Sequence, residues 1–271
     1  MLNGALNSFL RTLIRYEHLN EQRMKILLLG SKEVREVRKS HPALKNKKLI
    51  AAGMFSGVFE GNSPNTVLKL TICPSSYALL TDQRLLGTLH TPQLIKDHGV
   101  VGQFKTGTNI KETKLTKAII KDVPMYLVEI ERLQKVPIGT TKQVITHISK
   151  AIKRAMLATL ESESHTVNQS NALLELCQSS KHIGGIQSYK DYAESLVGFM
   201  ESHPDAFYDT HVANFMQRED GTLVFSDPVG SIDIYKTQGV FSKLSDSDVD
   251  WTKVQQEHRK KFSHLKNLNV A

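Results

Sequence analysis

Three polar side chains late in the chain have types and a spacing that could do chemistry. Asp209 precedes Asn214 by five residues, and Asp227 follows in the sequence Asp-Pro-Val-Gly. Carboxylate and amide oxygens are the ligands that Mg²⁺ prefers, and a further carboxylate can accept the proton of an attacking hydroxyl. The pattern therefore predicts phosphoryl transfer in an open cleft, with Asp209 as base and Asn214 and Asp227 as metal ligands. The same residue types are also common in ordinary loops.

A second candidate region lies far upstream. Its segment 53–58 and its strand Val67-Leu68-Lys69-Leu70 resemble the phosphate-covering loop and the lysine-bearing strand of protein kinases. Small residues would let the backbone approach phosphates closely, and the ring of Phe55 would close over them and exclude water. Lys69 would neutralise the α- and β-phosphates, as a catalytic residue that also binds the nucleotide. The predicted nucleotide-contacting residues of this region are Gly53, Phe55, Ser56, Gly57, Val58 and Lys69.

The elements that must position these residues follow from the flanking patterns. Residues 49–70 predict a strand, a hairpin and a second strand. Farther along, Asp220-Gly221 is a hairpin-turn signal, and this hairpin would return the chain to Asp227, where a D-x-x-G turn is expected. The apolar segment 125–130 predicts the last strand of a sheet. Glu131 and Leu133 come next, where a kinase hinge offers backbone groups to adenine.

Taken together, these motifs resemble one known family. The G-x-F-S loop, the V-L-K strand, D-x-H-x-x-N and D-P-V are similar to the early serine/threonine protein kinase of autographivirus-type podophages, over residues 49–231. The resemblance implies an α+β, bilobal protein kinase-like fold that binds ATP and Mg²⁺. It also implies phosphorylation of host proteins, among them transcription or RNA-processing machinery, in the host bacterial cytoplasm.

Several positions depart from the wider kinase pattern. Tyr208, not Arg, precedes Asp209, so control by a phosphorylated activation loop is not expected. His211 stands where aminoglycoside phosphotransferases also carry His; it would contact the γ-phosphate as a catalytic residue or make a structural hydrogen bond. The helix expected at 76–89 contains no Glu, and its single acid, Asp82, would either pair with Lys69 or lie exposed.

Three regions are predicted along the chain: a helical extension at 1–48, a kinase-like N-lobe at 49–136 and a reduced, mainly helical C-lobe at 137–271. Helices are expected at 2–15, 20–29, 31–38, 140–160, 171–178 and 189–200, with a basic C-terminal helix at 251–268. A loop is expected at 99–121 and a linker at 162–170.

Composition limits the partners. The net charge of +8 requires an anionic partner, but the basic cluster at 32–48 alternates with acids and lacks interleaved aromatic residues. We therefore expect a solvated basic face or a dock for acidic protein substrates, and not nucleic acid. The two cysteines indicate no disulfide framework, and no apolar run is long enough for a membrane span. Without a secretory signal, a cytoplasmic location is expected.

Three classes of function remain open from the sequence. An active protein kinase is favoured because Lys69, Asp209, Asn214 and Asp227 are all present. A small-molecule phosphotransferase of the aminoglycoside type is suggested by His211, although the segment before the catalytic loop carries few clustered acids. A catalytically inactive pseudokinase that binds host proteins is suggested by the missing helix Glu.

Overall fold

The computed structural model describes residues 30–53, 55–106, 121–137, 139, 143–150, 172–178, 180, 183–209 and 212–237. The described helices are α1 (Lys32–Ser40), α2 (Pro74–Thr81), α3 (143–150), α4 (172–178), α5 (Gln187–Ser202) and α6 (Ile232–Thr237). The described strands are β1 (Leu49–Ala52), β2 (Ser56–Glu60), β3 (Thr66–Thr71), β4 (Leu94–Lys105), β5 (Asp122–Glu131), β6 (Gln134–Lys135), β7 (Ala206–Tyr208), β8 (Phe215–Gln217), β9 (Leu223–Phe225) and β10 (Val229–Ser231). The predicted α+β class is confirmed.

An antiparallel sheet of five strands, in the order β1-β2-β3-β5-β4, forms the first half of the structure. Its centre is β3, whose six residues are all buried because helices cover both faces of the sheet. Leu68 and Leu70 pack on the face that α1 covers, and Val67 and Lys69 lie on the opposite face with α2. The alternation of a strand therefore sends Lys69 to the α2 side.

Helix α1 begins where the sequence predicted a helix. The side chain of Ser31 accepts a hydrogen bond from the backbone N–H of Val34 (3.1 Å), which is a standard N-cap. Val34 and Val37 are buried against the sheet, while Lys32, Arg35, Glu36 and Lys39 are exposed. The amphipathic pattern of this short helix is thus used to close one face of the sheet.

A second hydrophobic core surrounds α5. Tyr192, Leu196 and Phe199 of this helix pack with Phe225 and Val229 from the later strands. Helix α2 connects the two cores, because Leu79 lies in the α5 core and Leu80 in the core on the α2 face of the sheet. Burial of this kind contributes roughly 1.5–3 kcal/mol per large apolar side chain.

The predicted bounds of a helix and of a loop were wrong, and several other predicted elements fall outside the described residues. Helix α2 ends at Thr81, because the carboxylate of Asp82 accepts the backbone N–H of Arg84 (2.8 Å) and turns the chain. Residues 99–105 belong to β4 and pair with β5, where a loop was expected. Helices expected at 2–15, 20–29 and 251–268, the linker at 162–170 and most of the helix at 140–160 lie wholly or partly outside the described residues.

In the part of the chain that the structure describes, no helix is long and apolar enough to cross a membrane.

Candidate functional site

The most informative residue of the structure is Lys69, a lysine in the middle of the central strand with only 4% of its surface exposed. A buried ammonium loses several kcal/mol of hydration, so it needs a charged partner or hydrogen-bond acceptors. The partner is Asp227: Lys69 Nζ lies 2.9 Å from Asp227 Oδ1. The structure therefore brings together two residues that the sequence had singled out in separate motifs.

Ser76 completes this contact. Lys69 Nζ donates to Ser76 Oγ (2.9 Å), and Ser76 Oγ donates to Asp227 Oδ1 (2.6 Å). Ser76 lies in the first turn of α2, where the positive end of the helix dipole also favours a nearby carboxylate. The three groups thus form a closed ring of charge-assisted hydrogen bonds.

Asp227 is not simply a residue of an open cleft, as the sequence had suggested. Its side chain is 33% exposed on one side, while the side chain of its partner Lys69 is 5% exposed. The carboxylate therefore faces solvent and at the same time compensates a buried charge. Its removal therefore has a structural cost, which no residue near Asp227 in the sequence indicates.

The backbone brings the other two predicted residues to the same place. Strands β7 and β10 pair with Tyr208 opposite Val229, so Asp209 and Pro228 become neighbours, and the N–H of Asp209 donates to the carbonyl of Pro228 (2.8 Å). Asn214 Nδ2 donates to the carbonyl of Asp209 (2.9 Å), which fixes the loop between them.

The hairpin of β8 and β9 then returns the chain to Asp227, as predicted. Gly221 adopts φ +86° in its turn, and the carbonyl of Asn214 accepts from the N–H of Ser226 (2.8 Å). The amide side chain of Asn214 and the carboxylate of Asp227 are thereby carried on two adjoining loop segments.

The Gly of the Asp-Pro-Val-Gly sequence does not form the expected turn. Gly230 lies inside β10, opposite Phe207. A Cβ at this position would lie 2.4 Å from the ring of Phe207, so the glycine is required by close packing and not by a backbone conformation.

Asp82 does not take the place of the missing helix Glu. Its carboxylate accepts from Arg84 Nε (2.9 Å), and Arg84 Nη2 also donates to Ser202 Oγ of α5 (2.8 Å). The bonds from Arg84 lower the pKa of Asp82. Asp82 therefore ends α2 and ties it to α5, and Ser76 is the α2 residue that contacts Lys69.

The predicted phosphate-covering loop is the connection between β1 and β2. The N–H of Gly53 donates to the carbonyl of Ser56 (2.8 Å), which closes a tight turn. Phe55 is buried with Ile72 and Cys73, and its carbonyl accepts from the hydroxyl of Thr71 (3.2 Å). The Phe55 ring thus packs in the sheet core, and its predicted role over the phosphates stays a prediction.

The rest of β2 follows the alternation of the sheet. Ser56 and Gly57 are buried, and Val58 lies directly opposite Lys69 on the α2 face. Val58 is thus the residue of the predicted loop that the register places beside Lys69.

An ion pair that the sequence did not reveal joins Glu131, at the start of the predicted hinge, to Arg218. Arg218 donates to both carboxylate oxygens of Glu131, with Nε–Oε2 2.9 Å and Nη2–Oε1 2.6 Å. The N–H of Glu131 donates to the carbonyl of Gln93 (3.0 Å). Arg218 Nη2 also donates to the carbonyl of Thr91 (3.0 Å). Glu131 therefore joins the sheet to the β8–β9 hairpin, while Leu133 lies half-buried just beyond it.

A buried histidine is a further residue that the sequence did not single out. The Nδ1 atom of His90 lies 2.6 Å from the carbonyl of Leu223, and its Nε2 atom lies 3.0 Å from the hydroxyl of Ser188. Its ring stacks on Tyr189 at 3.9 Å between centroids. Burial lowers the pKa of His90, so the neutral imidazole joins the hairpin to α5.

Cys73 lies next to the site but is not a nucleophile. Burial is the main cause that raises the pKa of its thiol to about 12, and the negative charge of Asp227 acts in the same direction. A thiol with such a pKa stays protonated at neutral pH and therefore unreactive.

The chemistry of the donors is compatible with Mg²⁺. Asp227 offers a carboxylate and Asn214 an amide oxygen, both hard ligands, and phosphate oxygens and water normally supply the remaining positions. Within the described ranges no cluster of three or more His, Cys, Asp or Glu residues could hold a metal by itself. His211 lies outside the described residues, and its predicted role stays a prediction.

Comparison of the chain with protein-family models, with curated proteins and with solved structures finds no match in any of the three.

Proposed function

We propose that the protein is an ATP- and Mg²⁺-dependent serine/threonine protein kinase of the phage early-gene type, with a bilobal kinase-like fold. The observation that carries the proposal is the contact of buried Lys69 with Asp227, 2.9 Å apart. In protein kinases a strand lysine and a metal-binding aspartate both act on the nucleotide phosphates, the lysine directly and the aspartate through Mg²⁺, so the two side chains must lie close together.

Each residue has a role that its environment supports. Lys69 would exchange its bond to Asp227 for the α- and β-phosphates of ATP, and Ser76 would keep the ammonium in place. Asp209, held by the carbonyl of Pro228, would orient the acceptor hydroxyl and receive its proton. Asp227 and Asn214 would hold Mg²⁺, which neutralises charge on the transferred phosphoryl group.

The order of the elements also supports the proposal. The β1–β2 hairpin precedes the lysine strand, a helix follows it, and the strand ending at Glu131 leads into the second half of the chain. Helix α2, which carries Ser76, contributes Leu79 to the α5 core and Leu80 to the core on the α2 face of the sheet, and this link supports a bilobal fold with the site where its two halves meet. The proposed substrates are host bacterial proteins, including transcription or RNA-processing machinery.

The test is incubation of the full chain with γ-labelled ATP, Mg²⁺ and a bacterial lysate. We expect label on Ser or Thr of lysate proteins, lost in Asp209→Asn and in Asp227→Asn. The matched control is Asp220→Asn, an exposed carboxylate in the β8–β9 turn, which should retain activity. Circular dichroism confirms that each variant is folded before its activity is compared.

Undiminished labelling by both site variants would overturn the assignment of the residues. Consumption of ATP only with an added amine or sugar, without labelled protein, would favour the small-molecule phosphotransferase suggested by His211.

One observation favours a second candidate, a catalytically inactive module that binds host proteins. Helix α2 presents Ser76 to Lys69 where the kinase pattern has a Glu, so Lys69 has Asp227 as its ion-pair partner in the described structure. An inactive module would give no labelled protein even when it is fully folded. A thermal shift with Mg²⁺-ATP in the absence of transfer would identify a protein that binds nucleotide without using it.

A further inference from the structure

A basic concavity lies on the α1 side of the sheet, and the proposed phosphotransfer does not use it. It has a volume of about 480 Å³ and is formed by the second half of α1 and the turn that follows. Its lining residues in the described structure are Arg35, Arg38, Lys39, Leu44, Lys45 and Asn46. Lys69 is on the opposite face of the sheet, so this surface is separate from the candidate site.

The charge of the concavity is of one sign. Four of its six lining residues are cationic, and none of those lining residues is a carboxylate. The dipole of α1 accounts for Arg38 and Lys39 in its last turn, but not for Lys45 in the following turn or for Arg35 earlier in the helix. Like charges around a concave surface raise the local concentration of anions, because the low-dielectric wall focuses their field.

The wall of the concavity is preorganised. Leu44 is buried in the sheet core, and Asn46 adopts φ +63°, which fixes the turn. Lys47 Nζ donates to the carbonyl of Gly61 (2.6 Å), and Arg38 Nη2 donates to the carbonyl of Lys47 (3.3 Å). The backbone turn that carries Lys45 and Asn46 is therefore fixed before a ligand binds, so binding need not order it.

Arg38 is the one partly buried cation among the described lining residues. Its guanidinium lies over the ring of Phe59, 5.0 Å from the centroid, and its Nε atom is buried with no hydrogen-bond partner among the described residues. Because this Nε atom has no accessible surface, a ligand in the concavity would contact the outer nitrogens of the guanidinium, for which a carboxylate is a preferred acceptor. Arg38 thus adds one partly buried cation to the three exposed ones, and its contact with the Phe59 ring fixes where the guanidinium lies.

We propose that this concavity binds an acidic peptide segment, that is, a stretch of a partner protein with clustered Asp and Glu side chains. Its size suits a few side chains and not the backbone of a duplex. None of its lining residues in the described structure is aromatic, so it lacks the stacking surfaces that single-stranded nucleic acid uses. The inference goes beyond the proposed function and needs no catalytic activity.

The test is fluorescence anisotropy with the full chain, without nucleotide, at low salt. The probe is a short fluorescein-labelled peptide of Glu and Gly, compared with the same peptide carrying Gln for Glu and with a labelled oligothymidylate. We expect the Glu peptide to bind and the Gln peptide not to bind, with affinity that falls as salt is raised.

The decisive variant is Arg35→Glu with Lys39→Glu, two exposed residues one helical turn apart, supported by Arg35→Gln with Lys39→Gln in case charge reversal disturbs α1. The Glu peptide should bind the reversal variant about tenfold more weakly or worse, since two attractive charge interactions become repulsive together. The matched control, Lys96→Glu with Lys121→Glu, changes two exposed lysines outside the concavity and should bind normally.

Three results would overturn the proposal. One is the absence of any binding of the Glu peptide by the wild-type chain. Another is equal loss of binding in the pocket and control variants, which would indicate general attraction to a basic protein. The last is tighter binding of the oligothymidylate that depends on Arg35 and Lys39, which would reassign the surface to nucleic acid. Because no step uses ATP, failure here is distinguishable from failure of the kinase proposal.

Discussion

The pair of Lys69 and Asp227 gives a prediction that can be checked without any assay of activity. Asp227→Asn leaves the Lys69 ammonium, with 5% of its side chain exposed, without its counter-charge. Breaking a fully buried ion pair costs about 3–5 kcal/mol. Because Asp227 is one-third exposed and Ser76 still accepts from Lys69, we expect this variant to lower the free energy of unfolding by about 2–3 kcal/mol.

The reverse change removes the buried charge itself. Lys69→Met places an apolar side chain of similar length in the strand and leaves a carboxylate that solvent and Ser76 can still reach. Its cost should be smaller, about 1 kcal/mol, because a buried charge is replaced by well-packed apolar volume. The double variant should lose less than the sum of the two single changes, with a coupling of about 1–2 kcal/mol.

Urea denaturation of the wild-type chain, the two single variants and the double variant measures these free energies of unfolding. Asp220→Asn provides the background for an exposed Asp-to-Asn change. If the effects of Lys69→Met and Asp227→Asn add within about 0.5 kcal/mol, the two side chains do not interact and the reasoning about the site fails.

The remaining predictions concern the supports of the site. Arg218→Ala should lower the free energy of unfolding by about 3 kcal/mol, because the mostly buried Glu131 carboxylate loses its bidentate partner, whereas the exposed Arg132→Ala should have little effect in the same denaturation experiment. Gly230→Ala should lower the free energy of unfolding by about 2 kcal/mol or more, since the added methyl group meets the Phe207 ring. The control is Gly198→Ala in α5, where the nearest atom is 3.5 Å away and the change should be neutral or stabilising. A neutral Gly230→Ala would contradict the strand pairing. Stability should fall as pH drops below about 6.5, by at most about 1.4 kcal/mol per pH unit from His90, because burial lowers its pKa and the unfolded chain binds the proton more readily. His98 has a lowered pKa and acts in the same direction, so the check is a shallower pH dependence in His90→Phe than in the wild-type chain.

The sequence predicted those features whose signals are local. The helix that starts near residue 31, the strand around Lys69 and the hairpin turn at Gly221 were all identified correctly, because helix-start residues, alternation and turn residues act over a few positions. These features position the candidate site, but they do not show which side chains meet.

What the sequence could not show depends on distant partners. Nothing near Ser76 marks it as the bridge between Lys69 and Asp227, and nothing near Arg218 identifies Glu131, 87 residues away, as its acceptor. Asp82 was a candidate ion-pair partner of Lys69 because acids are the usual partners of lysine, but in the structure it pairs with its near neighbour Arg84. The apolar spacing predicted a helix as far as residue 89, but α2 ends at Thr81 because the turn at Asp82 competes with the helix.

The pairing of Lys69 with Asp227 also has a consequence for synthesis on the ribosome. The strand that carries Lys69 leaves the ribosome long before the segment that carries Asp227, and domains begin to fold as they emerge. Until that segment arrives, the ammonium has no carboxylate to compensate it, so closing the α2 face of the sheet over Lys69 is less favourable than once Asp227 is in place. The five-stranded sheet is thus expected to gain part of its packing energy only after the end of the β8–β9 hairpin has been made.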